Sequence, residues 1–360
     1  MKKIFSISRL SAFIIFIVLT FSCAKQSNEP EDQSGYDSPK IETAFLHASQ
    51  IGNIKSLVVN YKGNIIKEQY WHSGGADNLH DVRSVTKSVT GLLVGMAIDK
   101  GFINSVDDPI KKYLEPLVEN FPSDKEGILI KHLLSMSSGI QWEELISVSG
   151  YNNWVSSSNQ VQYLLNTPMA NQPGTVFTYN SAALHLLSVI VTKATGMSTK
   201  QFAEQYLFGP LGITERVWET DHQGFYNGGA GLQISPHDMI KIGELILGRG
   251  EYKGKRIVAS DWIDKSTQFK ISVGNSQPYS SSYGYCWWLG QTGNISYAFA
   301  NGWGGQFIVV VPSLNLVVTA TNQWSGVGTT TANTQWYSTI STIMEQVIPA
   351  FKSQANFSAD

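Results

Sequence analysis

Ser84 and Lys87 stand three residues apart at the start of a run whose apolar residues fall at helical spacing, with Gly101 as its stop. On such a helix the hydroxyl and the amine share one face. A serine hydroxyl is a poor nucleophile until a nearby base takes its proton. A lysine kept neutral by burial, or by the positive end of the helix dipole, is such a base. Because the same spacing recurs at Ser22 and Lys25, the pair needs support from elsewhere in the chain.

Tyr179 lies between a Pro-Gly-Thr turn and a long apolar helix that is predicted over 181–195. A tyrosine in that turn can point its hydroxyl into a cleft between two lobes. A neighbouring lysine ammonium is expected to lower its pKa, so that a proton is shared near neutral pH. The structural alternative, which is the more frequent role of a single tyrosine, is a side chain that covers the core.

Two glycine-rich segments accompany these residues. Gly228, Gly229 and Gly231 permit close approach of the backbone, but no Lys-Ser or Lys-Thr follows them, so the segment is not a phosphate-binding loop. We interpret it as a wall and a turn. The second segment, 302–306, enters a predicted strand. Glycines there let a substrate lie along the backbone and leave a backbone N–H free to face a developing oxyanion.

Taken in order, the chain has Ser-x-x-Lys at a helix start, Tyr-Asn-Ser at 179–181 and Trp-Gly-Gly at 303–305. This arrangement resembles the serine β-lactamase and penicillin-recognising superfamily, specifically the class C β-lactamase-like branch with its esterases, D-aminopeptidases and 6-aminohexanoate-dimer hydrolases. The resemblance spans about residues 50–350 and includes framework stretches at 130–139 and 229–236.

The resemblance implies an acyl-enzyme mechanism. Ser84 Oγ attacks a carbonyl while Lys87 and Tyr179 relay its proton. The backbone N–H groups of Ser84 and Gln306 hold the oxyanion, and water activated near Tyr179 then frees the acyl group. No metal or other cofactor is needed, and the seven histidines show no spacing typical of metal ligands.

The departures from the family pattern concern the substrate. Ser181 stands where the second motif usually ends in Asn, and a hydroxyl can contact Lys87 but cannot both donate and accept toward an amide as Asn does. Trp303, followed by Gly304 and Gly305, stands where the third motif begins with a Lys or His that grips a substrate carboxylate. We therefore expect neutral, apolar or aromatic-contacting acyl groups to be preferred over β-lactams and D-Ala-D-Ala termini. The candidate lining residues are Trp154, Trp218, Trp287, Trp288 and Trp303.

The N-terminus predicts export. Basic residues precede a short apolar run at 12–21, which is typical of a signal peptide over 1–22, and the cysteine that follows resembles a bacterial lipoprotein cleavage site with Cys23 lipidated. Residues 23–38 are polar and predict a flexible tether. The expected location is the cell envelope through a lipid anchor in the membrane, with periplasmic or secreted protein as alternatives. Cys286, in an apolar run, is interpreted as a buried structural thiol.

Composition and pattern predict the fold class. With 360 residues, 42% of them hydrophobic, and a net charge of −2, the chain predicts a globular protein without a nucleic-acid partner. The predicted strands are 56–61, 65–70, 283–289, 296–301, 306–311 and 315–321, and the predicted helices are 41–51, 128–135, 159–166, 181–195, 199–207, 237–247 and 334–351. We expect an α/β (α+β) domain over 39–352, with an antiparallel sheet flanked by terminal helices and a helical lobe inserted at about 84–270. The resemblance makes this a β-lactamase/transpeptidase-like fold.

These features together predict a serine hydrolase that acts on small esters or amides, with no protein partner implied. One alternative keeps the mechanism: a D-Ala-D-Ala carboxypeptidase of the penicillin-binding type, or a weak β-lactamase. The other alternative is a non-catalytic binding protein on the same fold. The presence of Ser84, Lys87 and Tyr179 together argues against that reading.

Overall fold

A computed structural model of the chain describes residues 35–351. Its strands, in chain order, are Ile54–Tyr61 (β1), Asn64–Tyr70 (β2), His80–Asp81 (β3), Val217–Trp218 (β4), Leu232–Ile234 (β5), Glu251–Tyr252 (β6), Lys255–Arg256 (β7), Ile271–Ser272 (β8), Ser282–Tyr283 (β9), Trp288–Thr292 (β10), Ile295–Gly302 (β11), Gln306–Val311 (β12) and Leu316–Asn322 (β13). Its α-helices are Ser38–Ser49 (α1), Val85–Asp99 (α2), Lys111–Leu114 (α3), Ile130–Leu134 (α4), Ser149–Val155 (α5), Gln160–Asn166 (α6), Ser181–Thr195 (α7), Thr199–Ala203 (α8), Gly209–Leu211 (α9), Pro236–Leu247 (α10), Ser260–Ser266 (α11) and Thr329–Thr342 (α12).

Eight of these strands form one sheet in the order β2-β1-β13-β12-β11-β10-β9-β8, and every pairing is antiparallel. β1, from the start of the domain, pairs with β13, from its end, with Val59 opposite Val318. The predicted sheet assembled from both ends of the chain is therefore confirmed. All residues of β12 and β13 are buried, because helices cover both faces at the centre of the sheet. On one face Gly243 of α10 packs directly on β13, where an added Cβ would lie 2.3 Å from Val317 Cγ1.

Helices α2 to α11 lie in the chain between β2 and β8, together with the small strands β3 to β7. Two of them, α2 and α7, form the centre of this part: residues 85–97 and 181–191 are buried without interruption. A helix that is buried on all sides has little freedom to shift, because every face is packed. The first turns of α2 and α7 therefore provide a rigid support for the side chains that project from them.

The predicted strand at 283–289 is wrong, since β9 ends at Tyr283 and β10 begins at Trp288. Cys286, between them, has a φ of +63° and donates its backbone N–H to Leu134 O at 2.9 Å. The chain bends there toward α4, so the backbone N–H of Cys286 bonds to that helix and not to a neighbouring strand. Cys286 is 1% exposed, which confirms the buried thiol, and burial raises its pKa.

Gly95, in the middle of α2, allows the indole of Trp262 to lie against the helix. An added Cβ would come within 2.3 Å of the ring. Gly150 in α5 is a matched helical glycine, because an added Cβ there meets no atom within 4 Å. Both Gly→Ala changes favour the helix intrinsically, so the difference between them isolates the clash. We expect Gly95→Ala to have a lower free energy of unfolding than Gly150→Ala by about 1–3 kcal/mol, as measured by urea denaturation. Equal free energies of unfolding for the two variants would show that the Trp262 ring moves aside at no cost.

Candidate active site

Ser84 is the N-cap residue of α2, directly after a tight backbone turn in which Arg83 has a φ of +51°. A serine at an N-cap usually accepts a hydrogen bond from a backbone N–H of the first helical turn. The Ser84 side chain makes no such bond. Its Oγ lies instead 2.6 Å from Lys87 Nζ. The hydroxyl is thus directed at the amine, close to the positive end of the helix dipole.

Lys87 is 2% exposed, and its amine is surrounded by three oxygen atoms. Nζ lies 2.6 Å from Ser84 Oγ, 2.8 Å from Ser181 Oγ and 2.7 Å from Gly229 O. The pKa of Lys87 is lowered from 10.5 to about 8, chiefly by burial; the carboxylate of Glu144 opposes the fall, and the positive charge of Arg83 adds to it. The direction agrees with the prediction of a lysine kept partly neutral by burial.

Tyr179 lies beside both groups. Lys87 Nζ is 4.9 Å from the centroid of its ring, and its side chain forms a hydrogen bond with Ser84. Its ring stacks on Trp288 with centroids 5.8 Å apart. The predicted fall in its pKa is wrong: burial raises the pKa of Tyr179 well above its ordinary value, the charge of Glu144 raises it further, and the hydrogen bond with Ser84 only partly offsets this. Tyr179 is therefore a neutral phenol that can pass a proton on.

Ser181, the first residue of α7, joins Lys87 to a carboxylate that the sequence reasoning missed. Glu144 Oε1 accepts a hydrogen bond from the Ser181 hydroxyl. Glu144 Oε2 accepts hydrogen bonds from the backbone N–H of Ser181 at 2.8 Å and from the indole N–H of Trp142 at 2.9 Å. Glu144 stands in an irregular loop, where no periodic pattern distinguishes it from its neighbour Glu143. The contact of Gly229 O with Lys87 was also missed, although the glycine cluster at 228–231 indicated a close backbone approach.

These side chains open onto a cavity with a volume of about 870 Å³. Ser84, Tyr179 and Ser181 lie in its wall, beside the charged side chains of Arg83 and Glu144. Its aromatic wall consists of Trp288, Trp303, Trp336 and Tyr337, and its apolar rim of Leu145, Ile146 and Val148. The rim residues are largely exposed, Ile146 to 87%. The cavity thus combines a reactive polar end with an apolar body, as small-molecule sites commonly do.

The structure brings two of the five candidate tryptophans to the cavity, Trp288 and Trp303. The other three are buried away from it: Trp154 packs against His185 at 5.6 Å between ring centroids, Trp218 packs against Phe208, and Trp287 is 1% exposed. Trp336 of α12 is a lining residue that the sequence reasoning missed, because its role depends on the C-terminal helix packing beside the end of β11.

The turn after β11 holds the residues that were predicted to contact the oxyanion and the substrate. Gly304 and Gly305 have φ values of +76° and +98° and face inward: an added Cβ would lie 2.7 Å from Trp324 Cβ or 2.5 Å from Asn322 Nδ2. Gln306 is fully buried, and its side-chain amide pairs with the backbone of Asn322. None of the three lines the cavity, whereas Trp303, in the same turn, does. The glycines therefore serve the packing of the turn, and their contact with a substrate stays a prediction.

Cys23, the signal peptide and most of the tether lie outside the described residues. Within 35–351 there is no group of three or more His, Cys, Asp or Glu side chains placed to hold a metal ion. In the same residues, no helix combines the length and the hydropathy that a membrane crossing requires.

Comparison with known proteins gives consistent results. A family model described as Beta-lactamase matches residues 55–336 of the chain. A 6-aminohexanoate-dimer hydrolase from Paenarthrobacter ureafaciens is 25% identical over 293 residues, which cover 73% of this chain and 71% of that protein. A structure of a candidate β-lactamase from Bacteroides dorei superposes with a TM-score of 0.71 at 21% identity and covers 88% of this chain and 99% of the other. EstCE1, described as a hydrolase with promiscuous acyltransferase activity, gives a TM-score of 0.65 at 16% identity over 84% of this chain and 98% of its own. The predicted fold class is confirmed.

Proposed function

Because the chain belongs to the β-lactamase family of hydrolases, we propose that it is a serine hydrolase that forms an acyl-enzyme on Ser84 and hydrolyses small esters or amides. One observation carries the proposal: the Ser84 hydroxyl lies 2.6 Å from a lysine amine that is 2% exposed, at the wall of a cavity. A fold alone does not fix an activity, so the activity is inferred from these groups.

Acylation begins with the fraction of Lys87 that is neutral. An amine with a pKa of about 8 is uncharged in roughly one molecule in ten at pH 7. Neutral Lys87 takes the proton of Ser84 as Oγ forms a bond to the substrate carbonyl carbon. The bond to the leaving alcohol or amine then breaks, and Tyr179 supplies the proton that the leaving group needs, while Lys87 returns its proton to Tyr179.

Deacylation reverses these proton transfers. Water attacks the acyl carbonyl, its proton passes through Tyr179 to Lys87, and the bond to Ser84 Oγ breaks as the serine is reprotonated. The neutral state of Tyr179 suits this role. A neutral phenol both donates and accepts, so it can receive the proton of water on its oxygen as it passes its own proton to Lys87.

The oxyanion of both tetrahedral intermediates needs two N–H donors. One is the backbone N–H of Ser84, at the start of α2. As the second donor we propose the backbone N–H of Trp303 rather than that of Gln306, because Trp303 is the residue of that turn that lines the cavity. Its neighbour Gly302 lies so close to the segment before Ser84 that an added Cβ would come within 2.3 Å of Val82 O. This packing holds the end of β11 beside the nucleophile.

The lining supports neutral acyl groups with apolar or aromatic parts, because the aromatic wall and the apolar rim offer such groups a surface to pack against. A second candidate function, cleavage of carboxylate-bearing peptides or β-lactams, is favoured by one observation. Arg83 places a guanidinium in the wall, 4.3 Å from the ring of Trp324 and 3.6 Å from Asp81. The nearby Asp81 partly neutralises that charge, so we rank this function second.

The test is trapping of the acyl-enzyme. Incubation with p-nitrophenyl acetate and rapid acid quenching should add one acetyl group to the protein, and peptide mass mapping should locate it on Ser84. A fluorescent penicillin tests the second function: stable labelling of Ser84 in the absence of ester turnover would replace the first function by the second. Absence of any adduct and of any turnover with esters, amides and penicillins would remove the proposal.

Trp303 offers a prediction on substrate choice. Trp303→Lys restores a cation where the family's third motif has one, and a charge-assisted bond to a carboxylate contributes about 1.5–3 kcal/mol. We expect labelling by the fluorescent penicillin to accelerate by about 10- to 100-fold and hydrolysis of an aromatic ester to slow. Trp303→Gln is the control, because it removes the ring without adding charge. If the Lys and Gln variants label at the same rate, Trp303 does not occupy the position of that cation.

A further inference from the structure

The hydroxyl of Ser181 lies between the amine of Lys87 and the carboxylate of Glu144. Its Oγ is 2.8 Å from Lys87 Nζ and also contacts Glu144 Oε1. The other carboxylate oxygen, Oε2, already accepts two N–H groups, from the Ser181 backbone at 2.8 Å and from the Trp142 indole at 2.9 Å. Glu144 is therefore held on both oxygens and points into the site.

The chemistry of these groups fixes the direction of each hydrogen bond. A carboxylate only accepts, so the single proton of Ser181 points to Glu144, and the Ser181 oxygen must accept from Lys87. The carbonyl oxygen of Gly229, 2.7 Å from Nζ, also only accepts. A neutral lysine has two N–H donors and one lone pair. Both donors are thus used toward Ser181 and Gly229, and the lone pair is left for the hydroxyl of Ser84.

We propose that Glu144 is a positioning residue, which directs the lone pair of Lys87 at Ser84 by holding the proton of Ser181. The inference rests on the proposed acyl-enzyme function and adds a residue that the family's motifs do not contain. It also accounts for Ser181 in place of Asn. An amide oxygen can only accept a hydrogen bond from a lysine, whereas a hydroxyl can donate or accept. The serine therefore needs a partner that fixes the direction of its O–H group.

The charges around Lys87 allow a second readout. Glu144 raises the pKa of Lys87 and Arg83 lowers it; the remaining titratable neighbours, Tyr179 and Cys286, have pKa values raised by burial. Tyr151, near Glu144, likewise has a pKa that burial raises. Removal of the Glu144 charge should therefore lower the pKa of Lys87 and move the acidic limb of the pH–rate profile to lower pH.

Glu144→Gln is the central variant. Because two N–H groups donate at the Oε2 position, the amide oxygen must lie there, which turns the amide NH₂ toward Ser181 Oγ. The Ser181 proton is then free to point at Lys87 and compete for its lone pair. We expect kcat for p-nitrophenyl acetate to fall by about 100-fold with little change in KM, while the acidic limb moves to lower pH. A merely structural role would lower Tm without moving the limb.

Three controls isolate the effect. Glu143→Gln makes the same change on the neighbouring exposed residue and should leave both readouts unchanged. Glu144→Asp keeps the charge and should keep the limb near its wild-type pH. In a Ser181→Ala background the direction of the hydroxyl no longer matters, so adding Glu144→Gln should change kcat on the pH-independent plateau by no more than about 2-fold, while the acidic limb still moves.

Wild-type kcat in Glu144→Gln, or losses that multiply in the double variant, would overturn the inference. The proposed function fails separately, if the wild type shows no turnover that depends on Ser84. In that case an NMR titration of labelled lysine in the intact protein still reads the charge interaction between Glu144 and Lys87: the pKa of Lys87 should be lower in Glu144→Gln, and an unchanged pKa would refute that interaction.

Discussion

Ser84→Ala is expected to lower kcat/KM for p-nitrophenyl acetate by roughly 10⁴- to 10⁶-fold, the range seen when a hydrolase loses its nucleophile. The reason is that the acyl-enzyme route is closed altogether: Lys87 and Tyr179 remain, but they have no oxygen to activate. Residual hydrolysis would come from substrate binding and the oxyanion donors alone. The measurement is steady-state release of p-nitrophenol, together with loss of the acetyl adduct in the mass spectrum.

Ser88→Ala is the matched control for this variant. Ser88 lies one turn further along α2, is 1% exposed, and donates its hydroxyl to Cys286 O at 2.6 Å. Its loss removes a buried serine hydroxyl from the same helix without touching the reactive groups. We expect Ser88→Ala to retain most of the activity while losing about 1 kcal/mol of stability. If wild type and Ser84→Ala hydrolyse the ester equally, catalysis does not occur at Ser84.

The fold could be predicted where local signals coincide with the tertiary structure. For α7 both ends agree: Asn180 caps the helix by accepting the N–H of Ala183 at 2.9 Å, and Gly196 ends it with a φ of +71°. The predicted strand at 283–289 fails because its break depends on a distant partner, Leu134 O, which receives the N–H of Cys286. An apolar, aromatic run looks like a strand whether or not its backbone leaves the sheet.

The candidate site likewise contains residues that local sequence signals predict and residues that depend on tertiary contacts. Ser84, Lys87 and Tyr179 could be named as candidates from the sequence, because their spacing and order resemble a known family pattern. Glu144 could not, since its meaning comes from a contact with Ser181, 37 residues away in the chain. The pKa of Tyr179 was predicted in the wrong direction because Lys87 faces its ring, 4.9 Å from the centroid, and burial outweighs the charge.

Lys87→Met is expected to lower kcat/KM by about 10³- to 10⁴-fold, since a positioned general base contributes up to that factor. In the wild type, activity should rise with pH through about 8, where Lys87 loses its proton. That rise should disappear in the Met variant, whose remaining activity has no amine to titrate. The measurement is the pH–rate profile of ester hydrolysis between pH 6 and 10, at constant ionic strength; a variant that keeps the wild-type limb would assign the base to another residue.

The same substitution should stabilise the protein, which separates loss of function from loss of fold. The fall in the pKa of Lys87 from 10.5 to about 8 means that the folded state holds a buried cation at a cost of about 3 kcal/mol. Methionine removes that cost, although Gly229 O loses a donor worth about 1 kcal/mol.

The gain in the free energy of unfolding should be full below pH 8 and fade between pH 8 and 10.5, because the folded wild type loses the Lys87 proton there while the unfolded chain keeps it. Lys125→Met is the control: Lys125 is also 2% exposed but pairs with Asp124 at 2.7 Å, outside the cavity lining. Its loss should leave the pH–rate profile intact, whereas a Lys87→Met protein less stable than wild type at pH 7 would contradict the buried cation.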